Sequence, residues 1–243
     1  MKKIIASIVL ISASVVAMAQ PRYDTLAVLI LDRMAKVIGD LESCTFRLKV
    51  ADDVMDTGEP VKYFTDYKVY LSGPNKMLID AYGYKGHRQF RYDGKQFAYY
   101  SYDENNYGIL PTPGNTIETI DNLHADYGID FPAADFFYPT FTDDLMEHSD
   151  SLRYLGIVDL GGREFYNMMA YSKEMNVQLW INADAYSLPG MFTITYKNKE
   201  SSSQYMGLFS EWQVNPSLPV SMFDFLPPPN AAKVRILSKA EAN

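Results

Sequence analysis

The sequence predicts a mainly β protein with helices, built around an antiparallel sheet. Apolar and polar residues alternate in stretches along most of the chain, as at Phe46, Leu48 and Val50. Turns rich in Gly, Asn, Asp or Ser separate these stretches. Only two regions, 24–41 and about 115–148, carry apolar residues at helical spacing. This pattern indicates one N-terminal helix, then strands, a helical insert and more strands.

The N-terminal segment has the features of an export signal. Lys2 and Lys3 precede an apolar run over 4–16, and a small-x-small pattern of the kind that signal peptidase cleaves ends at Ala19. The run is too short to span a bilayer comfortably, and no Cys follows Ala19 to carry a lipid anchor. We therefore expect cleavage after Ala19 and export of residues 20–243 to the periplasm of a Gram-negative bacterium.

The charge balance argues against two kinds of partner. The chain has 22 Lys and Arg against 30 Asp and Glu, a net charge of −8, and loss of Lys2 and Lys3 makes it −10. Such acidity disfavours nucleic acid and anionic membrane surfaces.

Since no shift in composition marks a linker, we expect residues 20–243 to form a single domain.

Residues 24–41 predict an amphipathic helix. Asp24 suits the N-cap position and Gly39 lies near the end. The flanks carry no basic enrichment, so burial against a sheet is favoured over binding at a membrane surface. The predicted apolar stripe consists of Leu26, Leu29, Ile30, Met34, Val37, Ile38 and Leu41.

Period-two alternation predicts the strands that follow. The pair Asp93-Gly94 predicts a hairpin, since it tolerates the positive φ of a type I′ turn. The acidic stretch 52–58 lacks the ligand spacing of a calcium loop and is interpreted as a charged turn. Predicted strands cover 46–50, 63–71, 76–82, the hairpin 90–97, and 153–160, 163–171, 177–182, 191–197 and 204–212. The helical insert carries Ile117, Ile120, Leu123 and Tyr127 at helical spacing.

Catalytic motifs are absent from the sequence. The three histidines are widely separated, and there is no nucleophile elbow, phosphate loop or zinc helix. Asp144 lies one helical turn before His148, which leaves weak metal binding open, although a solvated helix end is favoured. Cys44, the one cysteine, excludes an internal disulfide and is expected to be a buried filler rather than a nucleophile. We expect that the protein is not an enzyme and that it binds no metal and no cofactor. A hydrolase with converging carboxylates stays a third alternative.

The chain is rich in aromatic residues and methionine, with 19 Tyr, 13 Phe and 12 Met. These residues suit either packing on both faces of a sheet or a concave, adaptable apolar cavity. A one-residue slip in alternation would invert the faces, which leaves the orientation of Trp180 and Phe192 open. The residues expected to line the cavity and bind lipid are Phe46, Leu48, Val50, Tyr67, Val69, Met77, Ile79, Phe90, Tyr92, Phe97 and Tyr99 from the sheet, with Ile120, Leu123, Phe136 and Phe137 from the insert.

Several sequence blocks resemble a known family. They are VYLSGPNKM (69–77), YDGK (92–95), PG (113–114), LWIN (179–182) with LP (188–189), and FDF (223–225) followed by PPPNA (227–231). In this order and spacing the chain resembles the LolA/LolB-like superfamily, and within it the branch of predicted periplasmic proteins of unknown function. The likeness covers nearly all of residues 20–243.

The resemblance implies a strongly curved antiparallel sheet that forms an unclosed half-barrel wrapped around helices. In that superfamily a hydrophobic cavity between sheet and lid helices carries or senses acyl chains of lipoproteins or lipids. It implies a non-enzymatic, lipid-binding protein, which we expect to be a monomer. The alternative is an envelope scaffold or sensor that binds a protein partner through the sheet surface without lipid.

Overall fold

The computed structural model describes residues 22–112, 114–197 and 203–242. The predicted signal peptide and the cleavage after Ala19 lie outside the described residues, as does Pro113 of the family-like blocks.

Helix α1 spans Thr25–Gly39 and begins where predicted. The Asp24 carboxylate accepts a hydrogen bond from the backbone N–H of Leu26, which caps the helix. Leu26 and Leu29, expected on the apolar stripe, are instead 46% and 59% exposed. Each stands one position, or about 100° of rotation, from a residue that is buried. The buried stripe consists of Ala27, Ile30, Leu31, Met34 and Ile38.

Twelve strands of the described residues form one sheet. Their order is β12-β6-β5-β4-β3-β2-β1-β11-β10-β9-β8-β7, and all neighbours are antiparallel except β12 and β6. The end strands β7 and β12 do not pair with each other in the described chain, so the sheet stays open. The predicted half-barrel is confirmed. The strands span Ser43–Asp56 (β1), Glu59–Ser72 (β2), Lys76–Gly83 (β3), Gly86–Tyr92 (β4), Gln96–Ser101 (β5), Asn106–Pro111 (β6), Ser151–Asp159 (β7), Glu164–Tyr171 (β8), Met175–Asn182 (β9), Pro189–Tyr196 (β10), Gln204–Val214 (β11) and Ala232–Lys233 (β12).

The acidic stretch after Ala51 is mostly strand, so the predicted charged turn at 52–58 is wrong. β1 runs on to Asp56, and only Thr57 and Gly58 turn the chain, both with positive φ. Lys62 donates to Asp53 across the hairpin at 2.6 Å, which offsets part of the acidic charge on β1.

The hairpin of β4 and β5 is confirmed, but its predicted type I′ turn is not found. A type I′ turn needs positive φ at both central residues, and only Gly94 has it, at 88°. The Asp93 carboxylate accepts hydrogen bonds from the backbone N–H groups of Lys95 and Gln96 instead. Asp93 therefore holds the turn through its side chain.

Helical segments occupy the region between β6 and β7. They are α2 (Thr116–Asn122), a π-helical turn (Leu123–Tyr127), a 3₁₀ turn (Ala134–Phe137) and α3 (Phe141–Glu147). Asn115 and Glu118 form a capping box at the start of α2. Phe136 packs on Phe192 and Phe209 of the sheet, with ring centroids 5.4 Å apart in both pairs. The insert thus covers the same concave face that buries α1.

The C-terminal segment covers part of the convex face and ends in α4 (Lys239–Ala242). Phe223 is 1% exposed, and the Arg91 guanidinium donates to the backbone carbonyls of Met222 and Asp224 at 2.6 and 2.9 Å. The FDF block is therefore fastened to the convex face of β4 to β6 by these hydrogen bonds and by the packing of Phe225 on Tyr100 and Tyr107.

Candidate binding cavity

A cavity of about 1470 Å³ lies between the concave face of the sheet and the helical insert. Small-ligand pockets measure roughly 300–1,000 Å³, so this space suits a larger molecule. Strands β1 to β5 form one wall and β9 to β11 form another, while the insert and residues 234–236 close the remaining sides.

Strand alternation explains the apolar wall of β9 and β10. Leu179 pairs with Phe192, and Val177 pairs with Ile194, and all four side chains border the cavity. Since side chains alternate along a strand, Trp180 faces the convex side while Phe192 faces the cavity. This answers which way the two residues point.

The fifteen residues predicted for the cavity divide into two groups. Six border the cavity: Val50, Tyr67, Phe90, Tyr99, Ile120 and Phe136. The other nine pack in the core, away from the cavity wall: Phe46, Leu48, Val69, Met77, Ile79, Tyr92, Phe97, Leu123 and Phe137.

The second group lies where helices cover the concave face. Phe137 of the insert stacks on Phe46 at 5.7 Å, and Phe131 packs edge-to-face against Phe97 at 6.2 Å. Helices thus fill one part of the half-barrel and leave the other part open as the cavity. The role of the fifteen residues in lipid binding stays a prediction.

The wall formed by β9 to β11 was missed by the sequence reasoning. Val177, Leu179, Phe192, Ile194 and Tyr205 all border the cavity. These strands were predicted, and the same alternation that assigned inward faces on β1 to β5 could have found them. Arg88 was also missed, because a charged residue was not expected on an apolar face.

Polar groups of the cavity are concentrated at one end of the sheet and on the insert. Burial raises the pKa of Tyr67 and of Tyr205, so both hydroxyls stay neutral at physiological pH. Burial also raises the pKa of the Asp135 carboxyl, which borders the cavity from the insert. The remaining acidic side chains on the insert wall are Asp121, Asp130 and Asp144.

The described residues show no catalytic constellation at this site. Cys44 is 2% exposed, and burial raises the pKa of its thiol from 9.0 to about 12, which keeps it protonated. The His148 Nδ1 lies 2.8 Å from the backbone carbonyl oxygen of Asp144, as at a helix end. Within the described ranges, no group of three or more His, Cys, Asp or Glu is placed to hold a metal ion. No helix among these residues has the length and apolar character needed to cross a membrane.

An open antiparallel sheet that holds helices and a cavity against its concave face defines the class of half-barrel proteins. The particular family follows from the sequence match. The chain belongs to the family described as "Predicted periplasmic protein (DUF2092)", whose model matches residues 27–237. The predicted membership of a periplasmic branch of unknown function is confirmed.

Solved structures include several that are similar to this chain. An uncharacterized conserved protein from Thermus thermophilus has 16% identity and a TM-score of 0.47, covering 85% of this chain and 97% of its own. A LolA superfamily protein from Nitrosomonas europaea has 9% identity and a TM-score of 0.36, covering 82% and 97%. The MucA/MucB complex of Pseudomonas aeruginosa has 12% identity and a TM-score of 0.44, covering 82% and 60%. No curated protein matches the chain.

Proposed function

We propose that the protein is a periplasmic, non-enzymatic carrier or sensor that binds a lipid, an acyl chain or a lipoprotein, with the insert as its lid. The cavity of about 1470 Å³ against an apolar sheet wall carries this proposal. Export through the N-terminal signal belongs to the same proposal.

The chemistry of the wall suits an acyl chain. Burying a methylene contributes roughly 0.8 kcal/mol, so a long chain is held without any catalytic group. Val177 and Ile194 are half-buried and offer apolar surface to the cavity, while Leu179 and Phe192 are almost fully covered and support this wall. Met175, the first residue of β9, adds a flexible side chain that adapts to ligand shape.

Dye uptake by matched variants tests the proposal. Ile194 borders the cavity, whereas Thr193 precedes it on β10 and faces the opposite side. We expect the apolar dye Nile red to bind the wild type and the Thr193→Trp variant alike. Ile194→Trp places a large ring in the cavity and is expected to weaken binding at least tenfold.

A wild type that takes up no dye, and that yields no lipid to organic solvent, would contradict the proposal. Equal loss of dye binding in both variants, with melting temperatures lowered together, would point to misfolding instead. Thermal denaturation of each variant is the control that separates these results.

The partner-binding alternative has one feature in its favour. Leu155 and Ile157 on the edge strand β7 are 45% and 54% exposed. An edge strand with exposed apolar side chains is a typical site for strand addition by a partner. A binding protein of this kind needs no internal cavity, so retention of bound lipid by the isolated chain separates the two functions.

A further inference from the structure

Arg88 borders the cavity from β4 amid apolar and aromatic side chains. Strand register places it opposite Ala81, which in turn lies opposite Tyr67 on β2. These three residues form one row across the concave face. Ala81 contributes only a methyl group, so the row leaves room between the guanidinium and the Tyr67 ring.

The Arg88 guanidinium has no protein partner within the described chain. Its Nε is buried and makes no hydrogen bond there, and no carboxylate of these residues lies within ion-pair distance. Other arginines differ: Arg47 pairs with Glu211 at 3.1 Å, and Arg91 donates to backbone carbonyls. Native proteins rarely leave a buried donor unsatisfied, so the position of Arg88 requires an explanation.

The surroundings of Arg88 favour an anion on the sheet wall. Burial raises the pKa of Tyr67, and the positive charge of Arg88 lowers it by a smaller amount. The Tyr67 hydroxyl is therefore close enough to the guanidinium to interact with its charge. Lys85 adds a second cation at the rim. The opposite wall carries Asp121, Asp130, Asp135 and Asp144. Asp52 also borders the cavity, from β1 of the sheet, and its negative charge raises the pKa of Tyr67. An anionic group is therefore repelled from the insert and from Asp52, and attracted to Arg88.

We propose that Arg88, with the Tyr67 hydroxyl, binds the anionic head of an amphiphile whose tail lies along the apolar wall of β9 and β10. A guanidinium presents its donors as a planar fork that matches a carboxylate or a phosphate. The site thus selects acidic lipids over neutral ones. This inference rests on the proposed function and names the chemical class of its ligand.

Competition against bound Nile red tests the head site. The competitors are palmitate, hexadecyl phosphate and hexadecanol, which share a sixteen-carbon chain, together with inorganic phosphate. We expect the wild type to bind one or both acidic amphiphiles about tenfold more tightly than hexadecanol. If palmitate binds, the preferred headgroup is a carboxylate, and if hexadecyl phosphate binds, it is a phosphate. If inorganic phosphate does not compete, the site binds the headgroup of a lipid rather than a free anion.

Variants assign the selectivity to Arg88. Arg88→Gln is expected to weaken acidic competitors about tenfold while hexadecanol binds as before, and Arg88→Lys is expected to fall between. Lys68→Gln removes the same charge from an exposed position on β2 that alternation places on the convex face, and is expected to change nothing.

Two results would count against the account, and they are distinguishable. If Arg88→Gln binds dye normally and keeps the wild-type ratio of palmitate to hexadecanol, the head site is wrong while lipid binding stands. If the wild type binds neither dye nor any amphiphile, the proposed function itself fails. Competition by inorganic phosphate without any amphiphile binding would overturn both.

Discussion

Phe97 and Phe64 are chemically identical side chains in opposite surroundings. Phe97 is 0% exposed and packs against Phe90 and Phe131, with centroids 6.1 and 6.2 Å away. Phe64 on β2 is 53% exposed. We expect Phe97→Ala to lower the free energy of unfolding by about 3–5 kcal/mol, because it removes a buried ring and leaves a cavity.

Phe64→Ala is the matched control, and is expected to cost under about 0.5 kcal/mol. Urea denaturation followed by tryptophan fluorescence measures both. Similar losses in the two variants would show that the concave face near β5 is not the core.

Cys44 makes stability depend on alkaline pH. Burial raises the pKa of its thiol from 9.0 to about 12. Between these values the unfolded chain loses a proton that the folded chain keeps, so stability is fully present below pH 9 and falls as pH rises towards 12. We expect this titration to lower the free energy of unfolding by about 1.4 kcal/mol per pH unit between these two values.

The Cys44→Ala variant isolates this contribution. Burial also raises the pKa of tyrosines such as Tyr205, so they too lower stability as pH rises, but they do so in both proteins. The difference between the two stability profiles therefore reports the thiol alone. Urea denaturation from pH 8 to 11 measures the profiles. Parallel profiles would mean that the thiol is not buried.

Single residues also show which inferences the sequence permits. Alternation assigned Val50, Tyr67 and Phe90 to the concave face, where they border the cavity. It cannot show that Arg88 lacks a partner, because acidic residues are abundant in the chain and only the three-dimensional arrangement keeps them away from it. Leu26 and Leu29 fit a broad helical stripe, but packing selected a narrower one.

At the scale of elements, replacement of glycine by alanine is expected to have opposite effects on stability at two positions, because the space around an added Cβ differs. A Cβ added at Gly207 of β11 would overlap the ring of Phe192, which is 3% exposed and borders the cavity. Nothing lies within 4 Å of a Cβ at Gly39, in the last turn of α1.

We expect Gly207→Ala to destabilise the protein by about 1–3 kcal/mol through overpacking, and to weaken Nile red binding as Phe192 shifts. Gly39→Ala is expected to stabilise it by about 0.5–1 kcal/mol, because alanine loses less entropy in a helix. Denaturant titration measures both. A stable Gly207→Ala variant would contradict the close packing of β10 on β11.

Element types were predictable where periodicity was long, and less so at their ends. The helix α1 and most strands follow from spacing alone. β6 (Asn106–Pro111) was missed because its six residues include Gly108 and a terminal Pro111, which weaken the strand pattern. The strand character of the stretch from Asp52 to Asp56 depends on cross-strand partners such as Lys62, and no local rule contains them.

On the scale of the whole molecule, the concave face is shared between helices and a cavity. The sequence predicts a curved sheet and a helical insert, and the resemblance supplies the half-barrel. How much of the concave face the helices fill depends on summed side-chain volumes and on the path of the chain from Gly128 to Phe141, which periodicity does not determine. This is why nine of the fifteen predicted cavity residues lie in the core.

The central claim is that an apolar ligand lies in the cavity between sheet and insert. Native mass spectrometry of the protein purified from the periplasm tests it most directly. We expect the wild type and Thr193→Trp to carry an added mass that matches a lipid, and Ile194→Trp to be bare. A wild type without added mass, or the same added mass on Ile194→Trp, would contradict the account.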